Sequence, residues 1–148
     1  MNMEQKQKRQ LEIDIAERMY NSRKIESKYL IFDYFCDYDI SDENCKNVEK
    51  TLEKCSQYIE KMITIKKTLH ITVDYYTFCN DKDCSSKSSA VASSSPSSLF
   101  LLSDANGVEW SFPKALFKQN HYVDDYDYYD EDIYVQINNS YDFYFGVR

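Results

Sequence analysis

The sequence predicts an α+β protein: an N-terminal helical hairpin followed by an antiparallel sheet of about five strands. Three observations carry that expectation. Residues 1–67 contain neither Gly nor Pro and place apolar residues at helical intervals. After Lys67 the apolar period switches to two, as in a strand with one buried face. Turn signals at 103–107 and 138–140 then punctuate further alternating runs.

Helix 1 is expected to begin near Glu4 and to continue to Ile31, with Leu11, Ile13, Ile15, Met19, Tyr20, Ile25, Tyr29 and Leu30 wrapping much of its surface. The dense block Tyr29–Phe35 reads either as the buried end of that helix or as a short strand. Helix 2 is expected from Asp42 to Lys67, with Ser41 as N-cap, Asp42 and Glu43 in the first turn, and Lys66 and Lys67 in the last. Cys45, Val48, Leu52, Cys55, Ile59 and Met62 follow one another at spacings of 3-4-3-4-3. Such spacing suits a seam against helix 1 or against another chain, so Val48, Leu52, Cys55, Ile59 and Met62 are candidate self-association residues in a homo- or hetero-oligomer built through residues 42–67.

Leu69, Ile71, Val73 and Tyr75 alternate with His70, Thr72, Asp74 and Tyr76 as a strand. Residues 80–98 hold nine serines and one proline, and the composition of residues 82–98 predicts a disordered loop. Leu99–Leu102 and Val108–Phe112, joined through Asn106-Gly107, read as a hairpin, and Pro113 can open one helical turn at Lys114–Phe117. Ile133, Val135 and Ile137, then Tyr141, Phe143, Phe145 and Val147, read as a second hairpin turning at Asn138–Ser140. The organisation expected is therefore a helical segment, 1–67, and a β-rich domain, 68–148.

The charge is distributed unevenly. Of the formal −7, residues 119–148 hold seven acids against Arg148 alone, while residues 1–118 hold eighteen acids against seventeen bases. Tyr122–Tyr134 packs six carboxylates and five tyrosines into thirteen residues. Such a field repels phosphates and attracts basic surfaces. Interleaved tyrosines add rings that insert into shallow pockets or meet cations face-on. Trp110, Phe112, Tyr122, Asp124, Asp125, Tyr126, Asp127, Tyr128, Tyr129 and Asp130 are accordingly the candidate residues for a protein partner with a basic surface.

The only glycines are Gly107 and Gly146, which excludes Gly-rich phosphate cradles and nucleophile elbows. Two histidines, His70 and His121, leave little for acid–base catalysis. Cys79 and Cys84 lack the second ligand pair of a zinc site, and the acidic tract lacks the mid-loop glycine of a calcium loop, so no metal or other cofactor is expected. No basic stripe suits direct nucleic-acid binding, and no apolar run suits a membrane span. An odd count of five cysteines, with no secretory signal at the N-terminus, predicts reduced thiols in an intracellular protein of nucleus or cytoplasm. The function expected is a non-catalytic protein-interaction module. Its competitors are a decoy, viral or otherwise, that blocks a basic groove of a host protein by charge mimicry, and a thiol-dependent enzyme.

Overall fold

The computed structural model describes residues 2–20, 22–78, 90–121 and 131–146, with side chains in the first helix described as far as Ile13. Helix α1 spans Met3–Tyr20. Asn2 and Gln5 start it as a reciprocal cap: the Asn2 side chain accepts from the Gln5 backbone N–H at 2.9 Å, and the Gln5 side chain accepts from Asn2 N–H at 3.1 Å. Residues 3–13 are all exposed, so over that length the helix is polar-coated and buries no stripe.

The chain then departs from the expected helical hairpin. Residues 22–36, assigned from sequence largely to helix 1, form two antiparallel strands, β1 (Ser22–Glu26) and β2 (Leu30–Cys36). Tyr29–Phe35 is thus mostly strand, and the ambiguity over it is resolved by pairing. Its β-branched and aromatic run suits a strand with sheet neighbours on both sides, where propensity and burial agree. Only then does α2 (Asp42–Met62) follow, capped by Ser41 through a 3.2 Å bond from Asn44 N–H.

Strand β3 (Leu69–Tyr76) lies beside β2 and runs parallel to it, so β2–α2–β3 is a crossover unit. Strands β4 (Ala92–Pro96), β5 (Leu99–Ser103) and β6 (Glu109–Pro113), then helix α3 (Lys114–Asn120), lead to β7 (Ile133–Asn138). Strand β7 joins β3, again in parallel, and carries β4 antiparallel on its outer edge. The five-stranded sheet has the order β1-β2-β3-β7-β4 and is mixed, not antiparallel; β5 and β6 form a separate two-stranded ribbon. The reason for the difference is topological. A long helix between two strands returns the second in the direction of the first, and strand-wise alternation carries no record of the neighbour. The sheet also takes strands from both sides of residue 67.

Two further expectations change. Residues 92–96, within the serine-rich segment read as a loop, form the edge strand β4, where exposed Ser side chains tolerate one solvated face and Pro96 ends the pairing. Residues 141–146 do not pair as a strand of a second hairpin, although Phe143 and Phe145 still turn onto the core.

The core lies between α2 and one face of the sheet. Ile25, Phe32 and Ile71 are neighbours in one row across it, and Tyr34 and Val73 in the next. Val48, Leu52 and Ser56 of α2 are buried, with Cys45 and Ile59 packed at the margin. Cys55 and Met62, expected on the seam, point outward, and Met62 is 76% exposed. A straight helix drifts by about 20° per seven residues from a strict seven-residue repeat, which carries the later members of that row off the buried face. The helix also stops at Met62, short of Lys66 and Lys67.

Cys36 and Cys45, expected as free thiols, form a disulfide with Cα atoms 5.8 Å apart. It joins the end of β2 to the first turn of α2, a proximity created by the sharp return through residues 37–41 and invisible in a spacing of nine. Cys79 and Cys84 lie outside the described residues. Among the described residues no helix is long and apolar enough to cross a membrane.

On the opposite face of the sheet, half-buried polar residues form a network. Tyr134 donates to Asp74, Gln136 Nε2 donates to Tyr76 Oη at 2.8 Å, and Ser93 Oγ donates to Gln136 at 3.0 Å. Burial and the Asp74 carboxylate together push the Tyr134 hydroxyl up to about 12.

Candidate interaction surface

The β5–β6 ribbon exposes a group of large apolar side chains, Leu99, Leu101, Leu102 and Trp110. Its turn follows from sequence: Asp104–Gly107 closes a turn with a 3.0 Å bond from Gly107 N–H to Asp104 O, and Gly107 takes φ +76°, which a side chain would strain. The Asp104 carboxylate accepts from Asn106 N–H at 2.9 Å, Val108 N–H at 3.0 Å and Trp110 Nε1 at 3.1 Å. The Trp110 bond is the largest of the effects that hold this carboxyl below its ordinary value. Asp104 thereby locks the turn and one edge of the indole together.

Register divides the ribbon into two faces. Phe100 opposes Phe112 and Leu102 opposes Trp110 on one; Leu99 opposes Pro113 and Leu101 opposes Ser111 on the other. Phe100 stacks on Phe117 of α3 with ring centres 4.5 Å apart, and Phe117 stacks in turn on His121 at 4.3 Å. The base of the first face is therefore held by α3. Beyond it Trp110 stands 56% exposed, and Leu101 on the reverse is 65% exposed. Leu99, Val108 and Leu116 are exposed around them. A two-stranded ribbon has little stability alone, and an apolar surface of this kind usually marks an interface.

What fixes the ribbon to the sheet is a buried carboxylate. Asp132, fully buried just before β7, accepts from His70 N–H at 2.8 Å and from Lys118 Nζ at 3.1 Å, while Lys114 Nζ lies 4.0 Å from its other oxygen. Lys114 also donates to Glu131 O at 3.2 Å. Gln119 extends the tie: its oxygen accepts from Lys66 and Lys67 N–H at 2.8 and 3.0 Å. Thus α3 is clamped at the amino ends of β3 and β7.

At the carboxyl ends of the same strands lies a cavity of about 230 Å³, lined by Asn44 of α2, Tyr75 of β3 and the segment 139–145. In open parallel sheets this end is where ligands usually sit. The Tyr75 side chain is 1% exposed and makes no hydrogen bond among the described residues; burial raises its pKa. Tyr141, Phe143 and Phe145 line the cavity half-buried, with Asp142 exposed at the rim.

Of the residues singled out from sequence, Trp110 is presented to solvent and Phe112 sits half-buried on the same ribbon face. Tyr122, Asp124, Asp125, Tyr126, Asp127, Tyr128, Tyr129 and Asp130 lie outside the described residues. Val48 and Leu52 are in this chain's own core and Ile59 is packed at its margin, while Cys55 and Met62 face outward. Sequence reasoning missed Asp132, which it merged into the acidic tract. The available signal was its position immediately before the alternating run Ile133, Val135, Ile137. It also missed the cavity, whose walls come from three distant segments.

A model of the SPBPB7E8-like family matches residues 2–148, so the chain belongs to that family, whose description names no activity, ligand or partner. No curated protein and no solved structure matches it.

Proposed function

We propose that this member of the SPBPB7E8-like family is a non-catalytic protein-interaction module. It docks the β5–β6 ribbon into an apolar cleft of a partner protein whose rim carries Lys and Arg. The observation behind this reading is the ribbon itself: Leu99, Leu101, Val108 and Trp110 stand exposed on a hairpin held at its base by α3. Burying such side chains is worth roughly 1.5–3 kcal/mol each, so a few of them supply a working interface.

Charge defines the partner. Residues 88–113 contain Asp104 and Glu109 and no Lys or Arg, and residues 119–147 hold seven acids and no Lys or Arg. An apolar ribbon with acidic surroundings is complementary to an apolar cleft ringed by basic residues. The tyrosines and aspartates of 122–130 extend the same chemistry along the chain.

The test pairs two sets of changes on the immobilised full chain. Trp110→Ala with Leu101→Ser should abolish retention of a partner at unchanged fold. Asp124, Asp125 and Asp127 changed to Asn should slow association and flatten its dependence on salt. Partners retained equally by the Trp110/Leu101 double variant would overturn the ribbon as the docking surface.

A further inference from the structure

Four strand edges have no neighbour among the described residues: the outer sides of β1 and β4 in the five-stranded sheet, and those of β5 and β6 in the ribbon. An open edge invites pairing with another chain, and proteins usually blunt it with charge or proline. Strand β1 carries Arg23, Lys24 and Glu26. On β4, Ser97 N–H donates to Asp132 O and Asn138 N–H donates to Val91 O, which leaves the backbone groups of Ala92, Ser94 and Pro96 facing outward. Pro96 has no N–H to offer there, and Pro113 has none at the corresponding place on β6, where Glu109 adds a charge. Strand β5, Leu99–Ser103, contains no charge, no proline and no glycine.

The ribbon's own bonds decide which groups of β5 face outward. Lys114 N–H donates to Ser98 O at 3.0 Å and Asp104 N–H donates to Val108 O at 2.9 Å, so the ladder bonds fall at Ser98, Phe100, Leu102 and Asp104. The intervening residues Leu99, Leu101 and Ser103 turn their N–H and C=O groups away from β6, and these groups have no hydrogen bond among the described residues. All three residues are exposed. A strand paired there lays apolar side chains beside Leu99 and Leu101 on one face and beside Leu102 on the other. Asp104 and Glu109 stand at the turn end, and residues 88–113 hold no Lys or Arg, so a basic residue at that end of an incoming strand is attracted and an acidic one repelled. A second copy of this chain brings the same two acids and a like net charge of −7, with no basic residue in its ribbon to answer them.

We propose that the outer edge of β5 pairs with an extended segment of the partner protein, apolar at alternate positions and carrying Lys or Arg at the end beside the ribbon turn. The backbone groups of Leu99, Leu101 and Ser103 supply the pairing, and the flanking side chains supply the selection. The proposal rests on the ribbon being the docking surface and assigns its mode: one wall of the partner's cleft is a strand that continues the ribbon as its third. A two-stranded ribbon is marginal alone, and a third strand stabilises it.

The probe is a synthetic peptide of alternating Val and Thr with a pair of Lys at one end, added to the full chain and followed by amide hydrogen exchange. Exchange at Leu99, Leu101 and Ser103 should slow by roughly tenfold, while Phe100 and Leu102, already bonded to β6, stay as they were. Leu101→Pro removes an outward N–H without touching a ladder bond, and it should abolish the slowing at Leu99 and Ser103. Ser111→Pro makes the matching change on the outer edge of β6 and should leave the slowing intact, which separates loss of the N–H from strain in the ribbon. No slowing at these amides in the wild type, equal slowing with Glu in place of Lys, or slowing that persists in Leu101→Pro would overturn the proposal. Slowing that appears without peptide as the chain is concentrated would assign the edge to a second copy and overturn it as well. In each of these cases the ribbon remains the docking surface if Trp110→Ala with Leu101→Ser still abolishes partner retention; retention by that double variant removes the ribbon reading itself.

Discussion

At the amino ends of β3 and β7 a fully buried carboxylate, Asp132, gathers a backbone N–H and two ammonium groups, and α3 is clamped there as a result. At the carboxyl ends the buried Asn138 amide accepts from the Phe78 and Ser140 N–H groups and donates to the Ala90 carbonyl. Both ends bury polar chemistry that joins elements of the fold, one through charge and the other through neutral hydrogen bonds. A buried polar group is costly unless it is paired, and a charged one costs more than a neutral one. The comparison separates the charged clamp beneath the ribbon from the neutral anchor of residues 138–140, and it ranks the effects of changing them.

The largest effect is expected from Asp132→Ala. The change takes the 3.1 Å partner from Lys118 and the acceptor from His70 N–H, and it should cost about 3–5 kcal/mol in denaturant unfolding. A loss below about 1 kcal/mol would mean that the amino end is not held by charge, and the contrast between the two ends would fail.

Asn138→Ala comes next, at the carboxyl side. The Asn138 amide oxygen accepts from Phe78 N–H at 3.2 Å and Ser140 N–H at 3.0 Å, and its nitrogen donates to Ala90 O at 3.0 Å. Removing it strands three backbone groups at the base of the cavity-lining segment, for about 2–4 kcal/mol. Thermal unfolding measures the loss. A loss below about 1 kcal/mol would show that residues 139–145 hold their shape without this anchor.

A smaller, graded effect is expected in alkali. Burial is the first cause that raises the hydroxyl pKa of Tyr34, Tyr75 and Tyr134. The neutral form is therefore favoured in the folded state. The associated stability is complete below the ordinary tyrosine value of 10.0 and declines above it, through about 12 for Tyr134. Tyrosinate absorbance followed against pH should show a late-titrating class that appears together with unfolding. Tyr75→Phe should remove one member of that class without lowering stability at neutral pH, since its hydroxyl has no partner to lose. A marked fall at neutral pH would show that the hydroxyl is structurally bonded.

The smallest effect is expected at the ribbon tip. Asp104→Asn keeps an acceptor for Trp110 but removes the charge, and global unfolding should not shift measurably because the site is solvent-exposed. The Asp104 carboxyl is held below its ordinary value of 3.8, so its contribution is present above that pH and lost as pH falls through the lowered value. Trp110 fluorescence against pH should report that loss in the wild type and not in the variant.

Much of the molecule was legible as isolated elements. Ser41 and the acids after it marked the start of α2, because a helix terminus needs acceptors for its free N–H groups wherever it lies. Alternation at Leu69–Tyr75 marked β3, and Asn106-Gly107 marked the ribbon turn, because these are local conformational preferences. Trp110 was expected as a contact residue, and its side chain stands 56% exposed on the ribbon. The error over residues 22–31 has a local cause as well: an absence of Gly and Pro permits a helix without requiring one, and Ile25 fits either period.

By itself, then, the sequence determined the start of α2, the alternation of β3 and β7, the ribbon turn, and that the charge is concentrated beyond Lys118. Those are properties of neighbouring residues, set by backbone sterics, capping and side-chain period. Only the tertiary structure decided that β2, β3 and β7 run parallel, that Cys36 meets Cys45, that Asp132 is buried between two lysines, and that Tyr75, Phe143 and Asn44 surround one cavity. Each of these joins segments distant along the chain. Their proximity follows from how the elements pack to bury their apolar faces together, and no local pattern in one segment records which distant segment will complete it.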